Sequence, residues 1–508
     1  VVTKHLEIEF KLEVLPDAVM PDLSELPAVT EVELLEESVL EAVYFDTPDV
    51  RLARAGATLR RRTGGHGAGW HLKLPVSVDA RTEIHSPLGP DDEVPVEFVT
   101  AVRARVREEP LTPVVALRTL RTVRLLRGGP GRVLAEVSDD RVTSRSLGAS
   151  EVAIDTWREW EVELVEGDRN LLSSAQELLG AAGGTTPEWS SKLARALGDR
   201  LRSVGLDGDQ VHVDAGSAGA ALRDHLRGRR DELLECDSRV RRDEPDGVHQ
   251  MRVTTRELRS ALATFRPLVV RERSEAVREE LGWLGGLLGL VRDVEVGRGR
   301  LAELVAGEPG ELVIGPVAER LDANRADAYR SAHHQVLEAL DSGRYFRLLD
   351  ALDNLVDDLP LTEAATGQAG DVLPELVRRD WKRLSRAFAA ARKAPPGQRR
   401  DMFLHETRKA AKRARYSAEA VIPVAGRRAE KFARAAKKLQ TLLGEHHDSV
   451  ELRAVLLQVA TEAHLDGQDS FTYGRLHAIE QARAERIKQE LPKVWHKVAS
   501  RRRRRWMR

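Results

Sequence analysis

The sequence predicts an α+β chain: an N-terminal eight-stranded antiparallel β-barrel followed by an all-α domain of two related helical bundles. Three observations carry this reading. Over the first two hundred residues, about eight short strand segments alternate in polarity, most with charge on one face only. Beyond residue 219 nearly every stretch has the apolar period of a helix. That second part also repeats a His/Arg pattern at a fixed interval of 156 residues.

Composition bounds the rest. A chain of 508 residues is long for one domain. With 32% charged and 4% aromatic residues it reads as globular and helix-rich rather than disordered. The net charge of −1 hides an asymmetry: residues 1–200 carry 24 Lys+Arg against 34 Asp+Glu, the remainder 56 against 47. One part suited to cations and another to anions is the expectation. Cys236, the single cysteine, excludes a disulfide framework and a thiolate metal cluster. The first residues hold no signal peptide, and the longest uncharged apolar run, 281–291, is too short to cross a bilayer, so a cytoplasmic location is expected.

The strands are taken in order. In His-Leu-Glu-Ile-Glu-Phe-Lys-Leu (5–12), Glu7, Glu9 and Lys11 share one face, and Leu6, Ile8, Phe10 and Leu12 the other. Residues 16–27 read as a short helix or loop. A strand within 41–48 ends at Asp46-Thr47-Pro48, where Pro stops the ladder. Residues 58–63 place Arg60 and Arg62 together, and after a Gly-rich hairpin 70–75 places His71 and Lys73 together. Arg81, Glu83 and His85 share a side. A helix is expected in the second half of 90–109. Residues 118–127 form a basic strand of ambiguous register, since Arg121 opposes Arg118 and Arg124. Glu136, Ser138 and Asp140 fall together on the next strand, and Glu159, Glu161 and Glu163 on the last. A helix over 170–183 follows.

One-sided charge is also ordinary for an open antiparallel sheet with a wet face. The sorting is less ordinary: paired carboxylates on the first and last strands, paired Arg or Lys on the middle ones. A barrel interior with an acidic wall for a divalent cation and a basic wall for phosphate needs that distribution. Together Glu7-x-Glu9-x-Lys11, Tyr44-Phe-Asp-Thr47, Leu59-Arg-Arg-Arg62, Lys73, Glu136 with Asp140, and Glu159-x-Glu161-x-Glu163 resemble a CYTH domain, the triphosphate tunnel metalloenzyme family, over residues 3 to about 200. The resemblance implies an eight-stranded tunnel that hydrolyses or transfers triphosphates with Mg²⁺ or Mn²⁺. By position, Glu7, Glu9, Glu161 and Glu163 resemble the metal-side carboxylates, with Asp140 assisting. Lys11, Arg60, Arg62, Lys73 and Arg121 resemble the phosphate-binding set, and Lys192 a lysine that closes the tunnel. Glu7, Glu9 and Lys11 are the candidate catalytic residues, Lys11 for neutralising the leaving oxygen.

Domain limits are expected at 1–205 for the tunnel, 206–219 for a Gly/Asp/Ser/Ala linker, 220–500 for the helical domain, with repeats at about 220–360 and 371–500, and 501–508 for a basic, disordered tail. Helices should break near 307–310, 367–370 and 395–397. His249, Arg252, Arg256 and Arg259 recur as His405, Arg408, Lys412 and Arg415. Spacings of 3, 4 and 3 put each set on one helix face. Leu288-Gly289 with Asp293 recurs as Leu443-Gly444 with Asp448 at an offset of 155; the Arg292-Asp293 and His447-Asp448 pairs are expected to organise helix ends. A single charged stripe is normally a solvated face, but a His heading two such stripes points to a ligand.

These residues resemble a CHAD domain, the conserved-histidine α-helical family, over about 216–500. The resemblance implies two pseudo-symmetric bundles around a basic channel that binds inorganic polyphosphate, with Lys409 joining the eight repeat positions. Lys412 in place of an Arg should lose bidentate geometry and keep its charge. The expected activity is thus divalent-metal-dependent hydrolysis of inorganic triphosphate or a short polyphosphate, beside a polyphosphate-binding module at polyphosphate granules. Alternatives are a non-catalytic polyphosphate-binding protein, or a tunnel acting on thiamine triphosphate or ATP. No specific nucleic-acid reader and no membrane span is expected.

Overall fold

The structure is a computed structural model that describes residues 3–65, 67–75, 80–89, 93–129, 131–148, 153–202 and 214–507. The chain forms two compact units, 1–207 and 208–508.

The first unit is the barrel. Its strands are β1 (Thr3–Val14), β2 (Glu31–Leu34), β3 (Ser38–Asp46), β4 (Thr58–Thr63), β5 (Gly69–Pro75), β6 (Ala80–Ser86), β7 (Thr112–Gly128), β8 (Arg132–Ser146) and β9 (Ile154–Leu164). All pairings are antiparallel, and the order β7-β3-β4-β5-β6-β1-β9-β8 closes back on β7 to give eight barrel strands. The short β2, which the sequence reading passes over, only extends the sheet along the far half of β7.

Among the described residues this unit has five helices: α1 (Arg51–Arg54), α2 (Val96–Val106), α3 (Arg169–Ala181), α4 (Lys192–Leu197) and α5 (Asp199–Arg202). The apolar strand faces point outward and pack on them. Phe98 and Val102 of α2 join Leu59, Trp70, Leu72 and Ile84. Leu171, Leu172, Ala175 and Leu179 of α3 cover Leu12, Trp160 and Val162. With its cores outside, the barrel leaves its charged face for the lumen. Residues 16–27 form turns without a helix. Asp46 is fully buried and accepts the N–H groups of Thr47, Leu52 and Ala53 at 2.7–2.9 Å, so it ends β3 and fixes α1.

The second unit is helical: α6 (Ala218–Arg241), α7 (Gly247–Thr264), α8 (Arg271–Ala306), α9 (Val317–Leu340), α10 (Gly343–Asp357), α11 (Ala369–Lys393), α12 (Gln398–Ala420), α13 (Ile422–Ala425), α14 (Arg427–Leu465), α15 (Phe471–Val498) and α16 (Arg501–Arg504). Packing runs α6–α7–α8 in one half and α11–α12–α14 in the other, and α7 meets α12 between them. The two bundles are therefore pseudo-symmetric, as the repeat requires. The three breaks expected from Gly and Pro fall at the end of α8, the start of α11 and the end of α11.

Two boundaries differ from expectation. Of the expected linker, 206–213 lies outside the described residues, but Ala218 and Gly219 open α6, capped by Ser217, whose Oγ accepts the Ala220 N–H at 3.2 Å. Gly219 reads as linker composition, yet a Cβ there would come within 2.7 Å of Leu361 Cδ1, so it is a close-packing glycine. The Arg-rich terminus is not a disordered tail. It forms α16 and a final turn, with Trp506 and Met507 buried and Trp506 meeting Phe432 at 6.4 Å between ring centroids. Two apolar anchors after the arginines outweigh their charge.

Candidate functional site: a charged tunnel and a cationic cavity

Strand register builds the tunnel. Lys11 pairs with Glu161, Glu9 with Glu163, and Glu13 with Glu159 across β1 and β9. Glu136 lies beside Glu163 and Asp140 beside Glu159 across β8 and β9, and Arg121 beside Asp140 across β7 and β8. On the other side Tyr44, Arg60 and His71 form one row across β3, β4 and β5. The lumen is a cavity of about 830 Å³ lined by Glu7, Glu9, Lys11, Arg60, Arg62, Lys73, Arg121, Glu161, Glu163 and Lys192. Asp140, with no exposed surface, stands behind this lining. The ambiguous β7 register is settled with Arg121 inward; the side chains of Arg118 and Arg124 are not in the lining.

The lumen contains two carboxylate groups of different character. Asp140, Glu159 and Glu161 bring oxygens within 4.8 Å of one another, a spacing that could hold a metal ion. Here they share the ammonium of Lys192, which reaches Glu161 at 2.7 Å, Asp140 at 2.9 Å and also Glu159. Lys192 arrives there as the first residue of α4, whose N-terminus is capped by Ser191 accepting the Ala194 N–H. Arg121 donates to both oxygens of Asp140 and to Glu161 at 2.5–2.7 Å, and Lys11 to Glu161 at 2.6 Å. Burial alone would raise the Glu161 and Asp140 carboxyls, but these cations hold both below the ordinary range.

The second group is short of positive charge. Burial, then the charges of Glu7, Glu9 and Glu136, push Glu163 up to about 7, against the single favourable charge of Lys73. Burial likewise raises Glu7, although Lys73 bonds it at 2.6 Å. Across the lumen, burial and the neighbouring Arg60 and Arg121 push the Arg62 guanidinium down to about 10, the mark of cations crowded without enough anion.

Sequence reasoning left some of the lumen out of its candidate set. Glu83 is buried and hydrogen-bonded to His71 at 2.8 Å; burial opposes its charge, but His71 and Lys73 hold the carboxyl low. Tyr44 Oη accepts from Arg60 at 3.3 Å. Glu159 shares the face of Glu161, a signal present in the alternation. Arg81, 3.9 Å from Glu9, was visible in the same way.

In the helical unit a cavity of about 1440 Å³ gathers all nine expected positions, His249, Arg252, Arg256, Arg259, His405, Arg408, Lys409, Lys412 and Arg415. Arg278, Arg292, Arg300, Arg325, Arg383, Arg413 and Lys437 add to it from positions outside the repeated His/Arg pattern. His249 Nδ1, His405 Nδ1, Arg252 Nε and Arg408 Nε are buried atoms without a hydrogen-bond partner among the described residues. Each matches its counterpart in the other repeat.

The repeated Leu-Gly now has a reason. Leu288 and Leu443 are buried, and a Cβ on Gly444 would stand 3.3 Å from Arg408 Nε; on Gly289 it would stand 3.7 Å from the Arg252 guanidinium. Both glycines let a guanidinium lie against a helix backbone. Asp293 and Asp448 do not organise helix ends, because each lies well inside a long helix. They face the cations instead: Arg252 donates to Asp293 at 3.2 Å, and Arg408 stands 4.0 Å from Asp448. Nor does Lys412 simply keep its charge. Burial and the charges of Arg256, Arg408 and Arg252 push it down to about 6.

Comparison with known proteins agrees with both units. The CYTH domain family model matches residues 5–197 and the CHAD domain family model residues 224–457. A Mycobacterium tuberculosis (strain H37Rv) protein described as uncharacterized protein Rv2226 is 40% identical over 511 residues, spanning 97% of this chain and 96% of its own length; the equivalent from strain CDC 1551, MT2285, matches equally. Among solved structures, PptA from Streptomyces chartreusis aligns at 25% identity and TM-score 0.46, over 55% of this chain and 99% of its own. The CHAD domain from the plant Ricinus communis aligns at 24% identity and TM-score 0.44, over 57% and 96%. No helix among the described residues is long and apolar enough to cross a membrane. The chain belongs to the family of proteins that join an N-terminal CYTH tunnel domain to a CHAD domain.

Proposed function

We propose that the tunnel hydrolyses a terminal phosphoryl group from inorganic triphosphate or a short polyphosphate with Mg²⁺ or Mn²⁺, and that the helical cavity binds inorganic polyphosphate. The observation that carries the reading is the sorting of charge within one lumen: Arg60, Arg62 and Arg121 are crowded on one side, and Glu7, Glu9 and Glu163 on the other.

The carboxylate oxygens fit a hard divalent cation. Glu7, Glu9 and Glu163 would hold it, with Glu161 adjoining on β9, because Glu7 and Glu163 lack compensating charge. Asp140 could join only if Lys192 moved, since Arg121 and Lys192 occupy its oxygens. A divalent cation held there would supply Lewis-acid stabilisation of the charge that develops on the phosphoryl group. Arg60, Arg62, Arg121 and Lys73 hold the phosphate oxygens, the arginines through their planar forks; triphosphate brings about four negative charges near neutral pH. A carboxylate of the acidic wall orients the attacking water, and Lys11 neutralises the oxygen of the departing pyrophosphate.

Inorganic triphosphate is favoured over ATP or thiamine triphosphate by the lining. Tyr44 and His71 are its only ring side chains among the described residues, and both are tied into hydrogen bonds with Arg60 and Glu83. Tethering to a polyphosphate-holding unit would raise the local concentration of substrate. The test is phosphate release from triphosphate, ATP and thiamine triphosphate by purified protein, with Mg²⁺, with Mn²⁺ and with chelator. Release from triphosphate that needs the metal is expected. No release with polyphosphate binding retained would leave the non-catalytic reading.

A further inference from the structure

A third concavity, of about 810 Å³, lies at the end of the helical unit and shares no residue with the cavity of the repeats. Six cations line it: Arg428 and Lys431 from the start of α14, Lys497 from the end of α15, and Arg502, Arg503 and Arg505 from the terminal segment. His496 adds a seventh basic group, and no carboxylate lines it among the described residues. Other arginines of this unit meet carboxylates, as Arg241 does Asp237 and Arg300 does Glu480. None of the six makes an ion pair among the described residues; Arg503 donates only to the Lys497 carbonyl, at 2.8 Å.

Two features make the arrangement costly for the folded chain alone. Arg428 and Lys431 sit in the first turns of a 39-residue helix, where the helix dipole repels cations. The arginine run is then brought against them by Trp506 and Met507, which are buried, while Arg504 lies over the Trp381 ring at 4.5 Å. Packing thus holds like charges around a hollow, and the missing partner is an anion.

We propose that this groove is a second anion site that takes a condensed phosphate chain. Its concavity and lack of protruding apolar residues do not suit a membrane surface. A nucleic acid would want an open ring to stack on, but Trp506, the only ring there besides His496 among the described residues, is buried with its N–H donated to the Arg503 carbonyl at 2.8 Å. A bare phosphate chain needs only closely spaced cations. The groove stands on its own charge and shares with the proposed function only the class of ligand.

Calorimetric titration of the full chain with medium-chain inorganic polyphosphate tests it. The groove variant carries Arg428→Ala, Lys431→Ala, Arg502→Ala and Arg505→Ala, all at exposed positions, with thermal melting as the folding control. The channel variant carries Arg252→Ala and Arg408→Ala. Two classes of site are expected in the native chain. The groove variant should lose one, by roughly tenfold or more in affinity, and the channel variant the other. If the groove variant titrates like the native chain, or the channel variant abolishes all binding, the groove proposal fails. It also fails if the groove mutations remove binding of single-stranded RNA or of phosphatidylserine vesicles and leave polyphosphate binding intact. Loss of binding in the groove variant alone, with the channel variant unchanged, would instead overturn the channel reading and leave the groove standing.

Discussion

The tunnel and the repeat cavity are both rich in cations, yet their charge differs in kind. Among the described residues, seven Lys and Arg side chains line the tunnel with eight carboxylates; fourteen line the cavity with four. A site that only holds a polyanion can be nearly uniform in sign. A site that breaks a phosphoanhydride must also place a cation and a water, and both need carboxylates. The tunnel carries the mixed set at the cost of pairing most of its charges internally, and the cavity leaves six of its fourteen cations, among them Arg256, Arg259 and Lys412, without an ion pair among the described residues.

Glu7→Gln should break the contrast most strongly. It removes one carboxylate charge from the wall that is short of cations, so phosphate release should fall on the order of 100-fold or more, with polyphosphate titration unchanged. Equal loss in both assays would mean that the two sites are not separate. Lys192→Met leaves Asp140, Glu159 and Glu161 facing one another without their shared ammonium. Removing one partner of so buried a group should cost roughly 3 kcal/mol or more, read as a lower melting temperature. An unchanged melt would show that these carboxylates are protonated or otherwise matched. Arg252→Ala with Arg408→Ala should weaken polyphosphate binding roughly 10–100-fold and flatten its salt dependence, leaving triphosphate hydrolysis intact.

The smallest effect sharpens the comparison through pH. Lys412, pushed down to about 6 first by burial, faces Arg252, Arg256 and Arg408, with Asp448 as the opposing charge. A bound polyanion raises its pKa, so binding takes up a proton. Affinity is then full below about 6 and falls as pH rises above it, by up to about tenfold per unit. Burial first, and then neighbouring basic groups, also lowers His249 and His405 from the ordinary imidazole range. The Lys412 share is therefore the difference in proton uptake between native protein and Lys412→Met, measured in buffers of different ionisation enthalpy. Equal uptake would refute it.

Much of this was legible in the alternation of side chains. Period two sorted Glu7, Glu9, Arg60, Arg62 and Lys73 onto inward faces before any strand was paired, and the His/Arg spacing placed both basic helix faces. What escaped depends on contacts between distant segments. Arg121 could be oriented only by its register against Asp140. The pull of Lys192 on three carboxylates needs α4 to cap the barrel wall. The short β2 has four residues and too little pattern to register. The terminal arginines read as solvated because their anchors, Trp506 and Met507, follow them and find their partners elsewhere in the bundle. Gly219 read as linker for a related reason: composition cannot tell a flexible glycine from one against which another chain segment packs.

Gly289 and Gly444 have a further meaning. Glycine weakens a helix interior by about 1 kcal/mol relative to alanine, and each half of the unit keeps one at the matching point of its longest helix. The two halves differ at Arg256 against Lys412 and agree at the His, the first Arg and the glycine beneath it. Each half thus has a guanidinium close to a backbone, at the expense of the helix that carries it.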